Sequence, residues 1–328
     1  MNLKLDLKTI NKTKIPVIFI IYNRPDLAEA VLKAIGEYQP TQLYVVADGP
    51  INGHDKVRCD KTRELIDTIN WNCTIHKNFA DKNLGCKKRV FSGITWAFKT
   101  CERAIILEDD CVPAPSFFPF CEELLEMYKD DTRIGMISGN NFGFDLYDEG
   151  LSYSFSNHGY IWGWATWKRC WDDFDVDLNF LNKKNIKIIK SNISNNKEFV
   201  KKWWEGVDHV LLKNLSSWAS PWGVFRYANN FLIIRPKVNL VANIGFVSAA
   251  THTTGKPDPA VMKKDNLVFP LVHPNIVLPD IIADRMLEEF FLQQPKKKRK
   301  LFRFFFNHFA YWIKRVVKFI KGVVFEKK

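Results

Sequence analysis

The first 140 residues of the chain alternate short apolar runs with segments in which apolar residues recur every three or four positions. A short apolar run predicts a buried strand, and the longer spacing predicts a helix with one face on the core. Strands alternating with helices predict βαβ units and a mostly parallel sheet covered on both faces. The predicted strands are residues 16–23, 42–49, 72–78, 103–110 and 133–139, and the predicted helices are residues 24–38, 55–69, 86–100 and 114–130.

Beyond residue 140 the pattern becomes irregular and rich in aromatic side chains. Four tryptophans fall between residues 162 and 171, and we expect at least half of them to lie in the core. Helical spacing returns at 198–215 and within 217–230, and a predicted strand follows at 231–236. Residues 238–253 end the part of the body that the pattern predicts to be ordered.

Polar side chains collect where the predicted strands end. Open α/β sheets bind ligands at the carboxyl ends of their strands, so the sequence predicts a ligand site at this edge. The residues concerned are Tyr22, Asn23 and Arg24 after the first strand, Asp48 after the second, Asn83 before the third helix, and Glu108, Asp109 and Asp110 after the fourth strand.

The carboxylate run 108–110 has two interpretations. Successive side chains of a strand point opposite ways, so one or two carboxylates can hold a divalent cation while the others accept hydrogen bonds from sugar hydroxyls. The alternative is a solvated acidic turn that caps a helix. The position behind a core strand of an alternating α/β half favours the cation.

The net charge of +12 is unevenly distributed. Residues 296–328 contain twelve Lys or Arg and one Glu, whereas the first 295 residues contain 36 basic and 35 acidic side chains. The nearly neutral body offers no second basic surface along which a nucleic-acid backbone would run. Nucleic acid is therefore not expected as a partner.

The basic tail, residues 296–328, predicts an amphipathic helix over about 301–325. A basic stripe opposite Phe and Trp is typical of a helix that lies in an anionic membrane interface. Two alternatives stay open: the helix docks on the body by its apolar side, or the run 296–300 is a nuclear-import or nucleic-acid patch. The polar stripe consists of Arg303, Asn307, Tyr311, Lys314, Lys318 and Lys321.

Cysteine usage and the N-terminus indicate the compartment. The seven cysteines are odd in number and none are in CxxC spacing, which argues against a zinc site or a disulfide framework and favours reducing conditions. The N-terminus has no apolar core of signal-peptide length. We expect a cytoplasmic protein, peripheral on the inner face of the cell membrane.

Six segments between about residues 15 and 254 carry a resemblance to a known class of enzymes. They are "FIIYNRPD", "VVADGP", "NLGCKKRVFSGITWAF", "ILEDDCVPAPSFF", "HGYIWGWATWKRCW" and "VNLVANIGFVSAATHT". In this order they resemble bacterial nucleotide-sugar glycosyltransferases of the GT-A fold, in particular the hemolytic-protein-like sugar transferases. The Glu-Asp-Asp segment is similar to that of animal N-acetylglucosaminyltransferase I.

The resemblance implies a fold, a function and a division of the chain. The fold would be α/β, a GT-A-type (Rossmann-like) twisted, mostly parallel sheet flanked by helices, plus the C-terminal helix. The reaction would be Mn²⁺- or Mg²⁺-dependent transfer, with inversion, of a hexosyl or N-acetylhexosaminyl group from a UDP-sugar to a glycan or lipid-linked acceptor in surface polysaccharide synthesis. Residues 1–14 would be an extension, 15–140 the nucleotide-sugar half, 141–280 the acceptor and donor-sugar half, and 281–328 a linker and tail.

The resemblance also implies which residues face the nucleotide. Tyr22, Asn23 and Arg24 would line the base and ribose pocket, and Asp48 would bond the base or ribose unless it only forms a turn.

A helix N-terminus that favours anions would lie beside the nucleotide, at Asn83 and Gly85. Lys88 or Arg89, one helical turn further on, would lie near it as well, although both are open to being solvated helix charges.

The metal site would be centred on Asp110 as the direct ligand. Glu108 and Asp109 would contact the sugar or ribose. His252 would approach the diphosphate or the metal, since neutral imidazole is a common metal ligand, unless it is structural.

The acceptor side is less specified by the sequence. Trp162 and Trp164 would wall the donor-sugar and acceptor pocket, because aromatic faces suit pyranose rings. Relatives often carry an Asp where this chain has Ala219, so the catalytic base is open; Asp208 and Glu205 are the preferred candidates, with Asp172 and Asp173 also near in sequence. The alternative function is a non-catalytic nucleotide-sugar- or carbohydrate-binding relative.

Overall fold

The computed structural model describes residues 14–141, 150–213, 215–245 and 263–293. The chain divides into two compact units, Met1–Glu288 and Glu289–Lys328, and the sheet lies in the first of them. The predicted amphipathic helix at 301–325 and His252 lie outside the described residues.

Ten strands and nine α-helices occur among the described residues. The strands are β1 (Val17–Ile21), β2 (Gln42–Ala47), β3 (Thr74–Phe79), β4 (Arg103–Glu108), β5 (Cys111–Pro113), β6 (Ile134–Ser138), β7 (Tyr153–Ser156), β8 (Trp164–Trp167), β9 (Leu232–Pro236) and β10 (Val241–Asn243). The helices are α1 (Pro25–Tyr38), α2 (Gly53–Glu64), α3 (Gly85–Ala97), α4 (Phe117–Met127), α5 (Lys168–Trp171), α6 (Lys183–Ile193), α7 (Lys197–Leu212), α8 (Ala219–Ala228) and α9 (Ile281–Gln293).

Eight strands form one twisted sheet in the order β3-β2-β1-β4-β8-β6-β9-β7. Only β8 and β7 run against the other six, since both pair antiparallel with their neighbours. The expected fold class, an α/β fold with a mostly parallel sheet flanked by helices, is confirmed. The two remaining strands, β5 and β10, pair antiparallel in a separate small sheet.

The apolar runs of the first half become the centre of the sheet. All five residues of β1 are buried, as expected for a strand with helices over both faces. Helix α1 packs through Ala28, Val31, Leu32 and Ile35, whose spacing places them on one face of the helix. Burial of these side chains fixes the sheet and so fixes the loops that leave its carboxyl edge.

The tryptophan-rich segment contains a strand that the sequence pattern does not predict. All four residues of β8 are buried, and β8 inserts antiparallel between β4 and β6. A strand buried on both faces has no polar-apolar alternation to reveal it. Trp164, Trp167 and Trp171 are buried while Trp162 is partly exposed, so the expectation that at least half of these tryptophans are core residues is confirmed.

All seven cysteines lie in described segments and are free thiols, as their spacing predicts.

Among the described helices, none combines the length and the apolar content that crossing a bilayer requires.

Candidate active site

A cavity of about 770 Å³ opens at the carboxyl ends of β1, β2 and β4. Segments far apart in the sequence meet in its wall: Tyr22–Arg24, Asp48, Asn83, Glu108–Asp110 and Trp162. Parallel strands place their carboxyl ends at one edge, which is why these residues come together.

An arginine and two carboxylates form one corner of this cavity. Arg24 donates hydrogen bonds through Nε and Nη2 to Asp109, the former at 3.3 Å, and through Nη1 to Asp110 Oδ2 at 2.9 Å. The Tyr22 backbone N–H also donates to Asp109, at 3.3 Å. Burial raises the pKa of Asp109 to about 6, against the opposing effect of Arg24. Arg24 is thus the charge that compensates a carboxylate only 2% exposed.

Glu108 is the third carboxylate of the corner and is partly buried. Burial, with the nearby charges of Asp110 and Asp109, raises the pKa of Glu108 to about 8. The Trp218 side chain hydrogen-bonds to Glu108 and acts to lower that pKa. Three carboxyl groups thus share one arginine, and a cation beside Glu108 would favour its charged form.

The loop after β10 is shaped around Asp110. Pairing of β5 with β10 places the Ile244 N–H on the Asp110 carbonyl at 2.8 Å. A Cβ atom on Gly245 would lie only 2.2 Å from Asp110 Oδ2. Gly245 therefore leaves the space that the Asp110 carboxylate occupies at the cavity wall.

The carboxylates of the corner fit the modest requirement of a hydrated divalent cation. No group of three or more His, Cys, Asp or Glu side chains in the described segments is arranged to hold a metal ion. Mg²⁺ and similar hard cations keep several waters and take one or two protein carboxylates plus substrate phosphates. Asp110, with Glu108 beside it, fits that smaller requirement.

Asp55, near the start of the predicted helix α2, supplies a part of the cavity wall that the sequence pattern does not indicate. Asp55 accepts hydrogen bonds from Tyr22 Oη and Asn23 Nδ2, both at 2.5 Å, and from the Ile51 N–H at 2.8 Å. Although burial acts to raise it, these bonds lower the pKa of Asp55. The Asn52 side chain caps the helix by accepting from the Asp55 N–H at 3.0 Å, and this Asn-x-x-Asp spacing is the signal that could have placed the helix start.

The Asp48 carboxylate in the cavity wall accepts three backbone hydrogen bonds. Its Oδ1 accepts from the N–H groups of Gly49 at 2.8 Å and Leu84 at 2.9 Å, and its Oδ2 accepts from Gly85 at 3.1 Å. The anion at the N-terminus of α3 is therefore a side chain of the chain itself. The predicted contact of Asp48 with a base or ribose stays a prediction.

The two cations considered on α3 separate in the structure. Arg89 is buried, lines the cavity and donates to the backbone carbonyl and side-chain oxygen of Asn78. Lys88 is exposed and does not line the cavity. Asn83 and Gly85 both line it, and Asn83 Nδ2 donates to the Gly49 carbonyl at 3.0 Å.

The two tryptophans predicted to wall the pocket also separate. Trp162 lines the cavity. Trp164 is buried and stacks on Trp218, with ring centroids 5.6 Å apart, so that Trp218 rather than Trp164 reaches the cavity.

The residues predicted as a catalytic base lie away from this cavity. Glu205 and Asp208 are on α7 and line a separate groove of about 610 Å³, together with Lys190, Lys201 and Trp204. Asp172 and Asp173 are exposed and line neither space.

Ala219 lines the cavity at the N-terminus of α8. It stands where the resemblance described under Sequence analysis implies an Asp. Its methyl group has no proton acceptor to offer, so the structure leaves the base unassigned.

Comparison with known proteins gives general likenesses only. No family model matches the chain, and no curated protein is significantly similar to it. Similar solved structures include a galactosyltransferase, LgtC, with donor and acceptor sugar analogues (9% identity, 65% of this chain and 70% of that chain, TM-score 0.34). A cytidylyltransferase from Leptospira borgpetersenii (10%, 56% and 73%, TM-score 0.31) and mouse xyloside xylosyltransferase 1 (8%, 65% and 81%, TM-score 0.33) are also similar.

Proposed function

We propose that this chain is a metal-dependent glycosyltransferase that moves a sugar from a nucleotide-sugar donor to a hydroxyl group of a glycan or lipid-linked acceptor. The observation that supports the proposal is the cavity at the carboxyl edge of the sheet. The carboxylate corner Glu108–Asp110, Arg24 and two tryptophans, Trp162 and Trp218, all line it, so that charged groups for a cation and diphosphate site and aromatic surface for a sugar lie in one space.

The proposed reaction is attack by the acceptor hydroxyl on the anomeric carbon, with cleavage of the bond to the leaving nucleoside diphosphate. A bound Mn²⁺ or Mg²⁺ ion would neutralise the charge that develops on the diphosphate. Asp110 would hold that ion, and Arg24, bonded to both Asp109 and Asp110, keeps the two carboxylates in place.

The donor base and ribose would lie against the wall made by α2. Asp55 fixes the Tyr22 phenol and the Asn23 amide, so these side chains present a prearranged surface. A preorganised wall of this kind lowers the entropic cost of binding. We propose a UDP-sugar as donor and inversion at the anomeric carbon, as in the family that the sequence resembles.

One observation favours a second candidate function. Ala219 stands in the cavity wall at the place where relatives often carry an Asp, and no other base is assigned. A protein that binds nucleotide sugars without turning them over would have the same cavity.

Binding to the cavity is tested first by thermal shift with nucleoside diphosphates and nucleotide sugars, with and without Mn²⁺. We expect a uridine diphosphate ligand together with Mn²⁺ to raise the melting temperature, because a ligand that binds only the folded state stabilises it by about 2.7 kcal/mol at 100 times its Kd. Asp173→Asn, which changes an exposed carboxylate outside the cavity, should behave as the unmodified chain.

The result of that screen separates the alternatives. A Mn²⁺-dependent shift accompanied by transfer or hydrolysis of the donor supports the transferase. A shift without turnover supports the binding protein, and the absence of a shift with every ligand contradicts both.

Membrane association of the tail is a separate proposal with its own measurement. We expect the full chain to float with vesicles that contain phosphatidylglycerol and a chain truncated before residue 296 to float far less. The reason is that each basic side chain near an anionic surface contributes about 1 kcal/mol. Equal flotation of the two chains contradicts this role of the tail.

A further inference from the structure

Residues 266–282 form an apolar segment on the surface of the folded unit. Seven of the fourteen exposed large apolar side chains in the described part of the chain belong to it. The most exposed are Val268 at 82%, Ile276 at 65% and Leu278 at 62%. We call the seven the apolar strip, and its members are Val268, Phe269, Val272, Ile276, Leu278, Ile281 and Ile282.

The strip is held in place by the body. Directly before β7, the Ser152 N–H donates to the Val272 carbonyl at 2.9 Å. Within β7, the Phe155 carbonyl accepts from the Asp280 N–H at 2.8 Å. Upstream, the Leu267 N–H donates to Ser116 Oγ at 3.0 Å. The segment is therefore fixed at its start, middle and end.

Apolar side chains point both inward and outward along this segment. Leu271 is buried, and Leu267 and Val277 pack against the core. Each is followed directly by an exposed apolar residue: Leu267 by Val268, Leu271 by Val272 and Val277 by Leu278. A surface segment that needed only to cover the core would carry polar residues at the outward positions.

The composition of the segment argues for a lipid surface over a protein partner. Residues 266–279 contain no Asp, Glu, Lys or Arg. Of the residue types enriched in protein interfaces, residues 266–282 contain a single Phe, Phe269, and no Tyr, Trp, Arg or Met, so the outward side chains are mainly aliphatic. Pro270, Pro274 and Pro279 lack N–H donors, which disfavours addition of a strand from a second copy.

Charge near the segment favours an anionic bilayer. Lys263 precedes it, next to Lys264, whose Nζ donates to the Pro113 carbonyl at 2.7 Å, and the basic run 296–300 follows α9 in the sequence. The acidic side chains next to it have partners of their own. Asp265 accepts from the Asn266 N–H at 2.8 Å, Glu123 lies 3.0 Å from His273 Nε2, and Asp280 lies 3.9 Å from Arg235 Nη2.

We propose that the apolar strip inserts among the headgroups and upper acyl chains of an anionic bilayer, as a membrane contact of the folded unit separate from the tail. This inference does not depend on the proposed enzymatic activity. Contact with lipid removes the outward aliphatic groups from water, which is favourable in proportion to their area.

Vesicle flotation of the full chain tests the strip. We expect Ile276→Ser combined with Leu278→Ser and Ile281→Ser to weaken binding at least about tenfold, on phosphatidylcholine vesicles with and without phosphatidylglycerol, because the lost contribution is apolar. The matched control replaces three exposed apolar residues elsewhere, Val57, Ile188 and Leu212, by serine and should bind as the unmodified chain.

Two further measurements keep the outcome decisive. The strip variant should lose the same factor when residues 296–300 are all replaced by Gln, which separates the contribution of the strip from that of this basic run. If the triple variant melts early, the single variant Val268→Ser, at the most exposed position, takes its place. Unchanged binding overturns the proposal, as does a dimer by light scattering that the strip variant dissociates without any loss of vesicle binding.

Discussion

Asp110→Asn is expected to lower Mn²⁺-dependent turnover of the nucleotide sugar by about 100-fold or more. The substitution keeps the shape of the side chain and removes the charge that would hold the cation. A bound metal stabilises the transition state by several kcal/mol, and each 1.4 kcal/mol corresponds to a factor of ten in rate. The measurement is the initial rate at saturating donor over a series of Mn²⁺ concentrations.

Gly245→Ala tests the same carboxylate from the opposite side. The added methyl group would lie 2.2 Å from Asp110 Oδ2, so the Asp110 carboxylate must turn away. The backbone at residue 245 already has dihedral angles that alanine can adopt. We expect a loss of activity similar to that of Asp110→Asn with a nearly unchanged melting temperature. Asp173→Asn is the control, and normal turnover in Asp110→Asn removes Asp110 from the mechanism.

The largest effect on stability is expected from Arg24→Met. This change leaves the buried Asp109 without its cation, and removal of one partner of a buried ion pair costs about 3–5 kcal/mol. Chemical denaturation at pH 8 measures the loss. Because burial already raises the pKa of Asp109 to about 6, the carboxyl of the variant takes up a proton as the pH falls, and the loss should be smaller at pH 5.5 than at pH 8.

Two companion variants make the Arg24 result specific. Adding Asp109→Asn to Arg24→Met should restore part of the stability, because the uncompensated charge is gone. Arg133→Met, which breaks an exposed pair with Asp131, should cost at most about 1 kcal/mol. Equal losses in Arg24→Met and Arg133→Met would contradict the role assigned to the Arg24–Asp109 pair.

The parts of the site predicted from sequence are those tied to strand ends. Apolar runs such as Val17–Ile21 and Arg103–Glu108 are long enough to identify, and the parallel sheet then places Tyr22 and Asp110 at one edge. Because the strands could be predicted, the residues that immediately follow a strand could be predicted as site residues.

Gly245 and Asp55 enter the cavity from elsewhere and were not predicted, for reasons of distance along the chain. Gly245 acts on Asp110 through a β-pairing of two three-residue strands, which is too short to give a periodic signal. Asp55 acts through hydrogen bonds to side chains 32 and 33 positions away. The prediction of Glu205 and Asp208 as base candidates rests on their short distance from Ala219 along the chain. That distance does not determine which cavity a side chain lines, and both residues line a separate groove.

The hydrogen bond between Trp218 and Glu108 gives the cavity an optical readout. Trp218 stacks on Trp164, and Trp222 also lies against Trp164, so one indole of an aromatic group touches the carboxylate corner. Indole emission responds to nearby charge, and excitation passes readily between rings at this separation. A cation or a diphosphate that bound beside Glu108 would therefore be expected to change the intrinsic fluorescence of the folded chain, without any label.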